Sequence, residues 1–281
     1  MSEQVPSILC HPDGKKSCGA CCGMYNHVDH DEAVTLQRLR QRTRAFFDEA
    51  RVDDPESLKA FRKKWEDGEA VKLLTGLASC PFLGFVGFDP EGSAEPAGRV
   101  GCLVHPLQNE GVDGRDCGVY DRHICEDYLC AAHDVLRRDE IRLVLDAVDD
   151  SYLYGLVITN PRFIRKMLEL AAEGAGRWPS AGTLRDPAVI RAAATCIEEL
   201  RQWPYRSADG IFGQVEVAGS LDTRRRRLPS ESLGVDSSPV DILLVCMGTT
   251  CESEGDLVEA RRRMEAHIDG LAKAIEDHHR S

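Results

Sequence analysis

Nine of the twelve cysteines lie within the first 130 residues: Cys10, Cys18, Cys21, Cys22, Cys80, Cys102, Cys117, Cys125 and Cys130. Thiols clustered in this way either form disulfides in an oxidising compartment or hold metal in a reducing one. The opening stretch MSEQVPSILCHPDGKK has no apolar signal-peptide core, so the chain is read as cytoplasmic and the thiols as metal ligands. Cys18 and Cys21 form a C-x-x-C pair, whose single tight turn can aim two thiolates at one ion. Cys22 follows at once. Adjacent side chains point in different directions in helix and strand alike, so Cys21 and Cys22 fit a multi-iron cluster or two neighbouring centres better than one small tetrahedral ion; the alternative is that Cys22 is simply buried.

The remaining thiols stand beside glycine or proline: Cys80 before Pro81, Cys102 after Gly101, Cys117 before Gly118, then Cys125 and Cys130. Glycine lets backbone approach a metal and lets amide N–H groups turn towards sulfur. The segments SCGACCGMYN, SCPFLGF, VGCLVHP and CGVYDRHICEDYLC resemble, in order, the polycysteine "zinc- or iron-chelating" family named after YkgJ. Its members carry a C-G-x-C-C knot, a C-P-F-L step and a later G-C…Y-x-R…C run. The likeness covers residues 17 to 130. It implies a ligand set of Cys18, Cys21, Cys22, Cys80, Cys102, Cys117, Cys125 and Cys130, enough for two four-cysteine sites. Two positions depart from the pattern: Lys15 stands where many members have their first cysteine, with Cys10 upstream as substitute or bystander, and Arg122-His123 replaces an Arg-Pro step.

Four thiolates suit zinc and iron-sulfur equally. The adjacent pair, the irregular spacing and the lack of a second C-x-x-C knuckle favour an iron-sulfur cluster, with zinc as the alternative. Convergence is the geometric expectation: the ligand sulfurs gather into one or two groups, within about 4 Å of one another at a tetrahedral site. His105, His123 and His133 could each substitute for a thiolate but are read first as surface or hydrogen-bonding groups, and Asp127 and Tyr128 as packing or supporting groups between the last ligands. Cys196 in AAATCIEEL and Cys246 in VDILLVCMG are expected to be apolar core thiols, with Cys251 a further unpaired one.

Something must hold these thiols in place. From Pro81 to Gly118, 12 of 38 residues are Gly or Pro, which leaves room only for short strands such as GFVGF and RVGCLVH and suggests that metal staples the segment. Around it the pattern is helical. Asp29 to Val52 carries Leu36, Leu39, Phe46 and Phe47 at helical intervals, with Asp29 and Glu32 at capping-box spacing. Asp54-Pro55 starts a second helix that Gly68 stops, and EAVKLLTGLAS (69–79) reads as a third. Arg137 to Val157 reads as one helix, Asn160-Pro161 starts another that Gly174 ends, and Asp186-Pro187 begins one that runs to Trp203. Residues 206 to 238 are polar and aperiodic, VDILLVCMG reads as a short strand, and a charged helix from Asp256 to about His278 closes the chain. The fold class is therefore mainly α with an irregular cysteine-rich metal-binding segment, small α+β elements being expected near the C-terminus. The chain divides into a cysteine-cluster region (1–135) and a mostly helical region (136–281).

Composition narrows the function classes. With 35 Lys plus Arg against 47 Asp plus Glu, the net charge is −12, so phosphate-backbone binding is not expected, and the run Arg224 to Arg227 reads as a solvated loop. No apolar run approaches the ~18–20 residues of a membrane helix. No G-x-G-x-x-G, P-loop, G-x-S-x-G or H-E-x-x-H is present. The expectation is a metal-binding polycysteine protein with an iron-sulfur cluster in a redox or electron-transfer role, acting with a protein partner; the alternative is a zinc-structured interaction module. A protein lysine N-methylase-like enzyme is a third reading that follows only from the resemblance, since flagellin lysine N-methylase carries a related cysteine cluster. The residues do not decide whether catalysis occurs.

Overall fold

A computed structural model describes residues 8–67, 70–92 and 94–280 and shows a mainly α chain with two small antiparallel two-stranded sheets. Helix α1 spans Glu32–Glu49 and α2 spans Pro55–Asp67. The second begins where the sequence places it: the Asp54 carboxylate accepts from the backbone N–H groups of Glu56 and Ser57, and Pro55 takes the first helical position. Its expected stop, Gly68, lies outside the described residues, as does Glu69.

Residues 70–79 form turns rather than the expected third helix. The backbone groups there are spent on the cysteine turn instead: Asn26 Oδ1 accepts from Leu74 N, Asn26 Nδ2 donates to the carbonyls of Leu74 and Leu77, and Val28 N donates to Val71 O. Strands β1 (Leu83–Phe85) and β2 (Val100–Cys102) pair antiparallel, with Leu83 opposite Cys102, inside the Gly/Pro-rich stretch. Of two short helices, α3 (Arg122–Asp127) carries Cys125, and Cys130 lies in the link between it and α4 (Ala132–Val135).

The single helix expected over 137–157 is two, α5 (Arg138–Ala147) and α6 (Ser151–Ile158). The break has a local cause, because Asp150 is extended and its carboxylate caps the second helix by accepting from Leu153 N. Helices α7 (Pro161–Gly174) and α8 (Pro187–Glu198) follow their Pro starts. The polar stretch after Trp203 contains a hairpin, β3 (Val215–Val217) with β4 (Thr223–Arg225). VDILLVCMG is not a strand but helix α9 (Asp241–Cys246). A short apolar run has no period to separate the two, and here Leu243, Leu244 and Cys246 are all buried, with α9 packed on α7 and on α10 (Glu254–Arg280).

Two bodies of packing meet at α6. Helices α5 and α7–α10 form an apolar bundle around Phe163, Met167, Leu168, Val189, Ile197, Leu257, Met264 and Leu271. All eight residues of α6 are buried, so it is a central post with no polar face. One side meets the bundle through Leu153, Tyr154 and Val157, and the other meets Met24, Tyr25, Leu39, Leu83 and Phe85 of the cysteine region through Tyr152 and Leu156. Apolar packing thus runs across position 135. Gly155 is needed on this post, because a Cβ there would collide with the Tyr25 hydroxyl. Among the described residues no helix is long and apolar enough to cross a membrane.

Candidate metal centres

The cysteine turn is hung on α6 and on β2 by hydrogen bonds. Ser17 N donates to Ser151 Oγ at 3.2 Å, Ser17 Oγ to Val100 O at 2.6 Å, and Tyr25 Oη to Tyr152 O at 2.6 Å. Between these anchors the chain coils tightly: Cys22 N and Met24 N both donate to Gly19 O, and Gly23 N donates to Ala20 O. Gly23 adopts φ +85° and lies against the backbone of Ser79, where a Cβ would sit 2.7 Å from the Ser79 Cα. This close approach lets Cys80 N donate to Cys22 O at 2.9 Å. On the other side, Cys18 N donates to Cys10 O at 2.8 Å.

The thiols gather into two groups of four. In the first, Cys10, Cys18, Cys21 and Cys130, each of the six pairs is close enough for charge on one sulfur to act on the other. In the second, Cys22, Cys80, Cys102 and Cys125, the same holds for all six pairs. Cys21 and Cys22, joined by one peptide bond, belong to different groups, and charge on Cys21 also acts on Cys22, so the two groups adjoin at this pair. Backbone ties reinforce both: Leu9 N donates to His133 Nε2 at 3.1 Å while His133 Nδ1 lies 3.8 Å from Cys130 Sγ, and the β1–β2 ladder sets Cys102 beside the Cys80 turn.

Three sulfurs accept an N–H from the residue two positions on, Cys18 from Ala20, Cys80 from Phe82 and Cys102 from Val104, and Cys80 accepts a second from Val119. Such bonds stabilise a thiolate. Burial acts the other way and outweighs them, pushing Cys102 up to about 12 and Cys18 and Cys22 well above the usual thiol range, while burial and the neighbouring Cys10 and Cys130 raise Cys21 to about 11. A bound cation is the counter-charge that would hold four thiolates together in such a place. The groups differ in their other charges. Arg42 lowers the pKa of Cys80, Arg115 those of Cys102 and Cys125, whereas Tyr25, Tyr128 and Tyr154 surround the first group. Each group keeps one exposed thiol, Cys21 in the first and Cys125 in the second.

Of the eight ligands expected from sequence, seven fall in these groups. Cys117 does not. It is buried among Phe46, Leu58, Phe61, Phe82 and Val104, its S–H donates to Pro55 O at 3.8 Å, and the charges that act on it are Lys59, Asp116, Glu56 and Arg62. Cys10 stands with the thiols in its stead, a position that sequence left open because its neighbours Cys18 and Cys130 reach it only through the fold. Ligating geometry is not reached: among the described residues no three or more His, Cys, Asp or Glu side chains are arranged to hold a metal ion, so the closer spacing of about 4 Å is not met.

All twelve cysteines are free. Cys196, Cys246 and Cys251 are buried within the helical bundle. His105 Nδ1 accepts from Leu107 N in a turn, His123 is exposed beside Glu126, and Tyr128 is exposed next to the first group. No protein-family model, curated protein or solved structure matches the chain.

Proposed function

We propose that this is a two-centre metalloprotein, with Cys10, Cys18, Cys21 and Cys130 holding one centre and Cys22, Cys80, Cys102 and Cys125 the other, each an iron-sulfur cluster in a redox or electron-transfer role. The observation that supports the reading is that adjacent Cys21 and Cys22 each lie near three different thiols, the two groups adjoining at this pair. The exposed thiol in each quartet supports an electron-transfer role, since a cluster near the surface is within reach of a partner protein. The N–H···S bonds support it as well, because they tune the charge on ligand sulfur.

Structural zinc is the second reading, favoured by one feature of the second quartet. Its Cys102 ends β2 opposite Leu83, and Cys80 lies in the turn that leads into β1, with backbone N–H groups turned onto both sulfurs, a frame of the kind that closed four-cysteine sites use. Anaerobic purification followed by visible absorption and iron, sulfide and zinc analysis separates the two. Brown protein with iron and sulfide supports clusters. Colourless protein with stoichiometric zinc replaces them with the structural reading, and protein that takes up neither metal overturns both.

A further inference from the structure

A cavity of about 440 Å³ opens beside Cys21, in the size range of small-molecule sites. Its walls come from the cysteine turn, the 74–78 turn, Tyr120, the end of α6 and the 211–215 loop. Although 29% of the chain is Asp, Glu, Lys or Arg, none of the 17 described residues lining this cavity carries a formal charge, and none is histidine. Leu77, Leu156, Ile211 and Phe212 make most of it apolar. A charged ligand placed there would lose its hydration without gaining a counter-ion.

The polar groups in the wall narrow the choice further. Asn26 is used up by Leu74 and Leu77. Gln214 Oε1 accepts from Arg162 at 3.0 Å, which leaves the Gln214 amide N–H groups as donors. Asn160 donates to Cys246 O, which leaves its own carbonyl as an acceptor. From these features we infer that the cavity binds a small, uncharged, largely apolar molecule bearing a carbonyl oxygen, anchored by Gln214 and presented to Cys21. Its relation to redox chemistry rests on the two-centre reading, but the binding itself does not. Cys21 is both the exposed thiol of the first quartet and the cysteine that lines the cavity, so an occupant lies beside whatever that quartet holds.

Nile red, an uncharged fluorophore with a carbonyl group, is a direct probe. Titrated into the intact protein as purified, it should show saturable fluorescence enhancement at one equivalent, and an anionic naphthalene sulfonate dye should bind at least about tenfold more weakly. Leu77 is 42% exposed at the rim, so Leu77→Glu introduces a charge without emptying the core, and affinity should fall about tenfold or more. Gln214→Leu should weaken binding roughly fivefold by removing one hydrogen bond. Val258→Glu, an equal change at a half-exposed site on α10, should leave it unaltered. The inference is overturned if no saturable binding occurs, if the anionic dye binds as well, or if Val258→Glu is as damaging as Leu77→Glu. Metal analysis on the same samples keeps the two readings apart: dye binding without metal retains the pocket and defeats the metal centres, and metal without dye binding does the reverse.

Discussion

Replacing Cys10 and Cys117 in turn tests the assignment of the thiols where it departs furthest from sequence pattern. Cys117 is 7% exposed and makes one weak S–H···O bond to Pro55. Cys117→Ala removes that bond and a sulfur of about methyl size from an aromatic-lined pocket, at a cost of about 1 kcal/mol. Against a typical stability of roughly 5–15 kcal/mol the protein stays folded, and Tm falls by about 2–4 °C. Its metal content should not change. Cys10→Ala, in contrast, takes one of the four proposed ligands from the first quartet and leaves the second intact. Iron and sulfide, or zinc, measured per polypeptide should therefore fall by about half, and a Cys10→Ala, Cys125→Ala double variant should lose almost all of it. Urea unfolding run beside the metal analysis shows whether a loss reflects ligand removal or collapse of the fold. If Cys117→Ala strips metal while Cys10→Ala keeps it, the quartets described above are wrong, and the proximity of Cys10 to Cys18 and Cys130 has no bearing on ligation.

Three further outcomes are expected. Gly155→Ala drives a methyl group into the Tyr25 hydroxyl and breaks its bond to Tyr152 O, so denaturant titration should show a loss of about 2–3 kcal/mol, and Tyr25→Phe in the same background should restore part of it. Burial, with Arg38 and Arg42 nearby, lowers His27 from 6.5 to about 4; the unfolded chain therefore binds this proton first, and stability should decline by up to about 3 kcal/mol as pH falls from 6.5 to 4, a leg that flattens in His27→Gln. Limited proteolysis with a chelator present should open new cuts between Pro81 and Gly118 while the helices beyond residue 137 persist; equal resistance with and without chelator would mean that metal does not staple this segment.

Local chemistry made much of the helical frame readable. Asp54-Pro55, Asn160-Pro161 and Asp186-Pro187 each mark a helix start by themselves, and α2, α7 and α8 begin there. The misread elements are those decided by distant partners. Residues 70–79 have helical composition, but their backbone serves Asn26, and the apolar run at 240–248 turns helical against α7 and α10. At the site, the adjacency of Cys21 and Cys22 already argued for more than one small centre. Nothing in the spacing separates Cys10 from Cys117, since what distinguishes them is a bond from Leu9 to His133, 124 residues away, and an aromatic pocket around Pro55. Arg42 and Arg115 likewise carry no local mark of their place beside the second quartet.

The central post α6 also sets an order of events during synthesis. Every cysteine of the two quartets precedes Ser151 in the chain, yet the turn that carries Cys18, Cys21 and Cys22 is fixed by Ser151 and Tyr152, and Leu9 is held by Tyr154. A ribosome therefore delivers all eight thiols before the helix that seats them. Until residues 151–158 have emerged, the hydrogen bonds that Ser151, Tyr152 and Tyr154 make to the cysteine turn and to Leu9 cannot form. On the two-centre proposal, loading would then be a race between completion of the scaffold and capture of the wrong ion, and slow elongation after residue 130 would favour the wrong outcome.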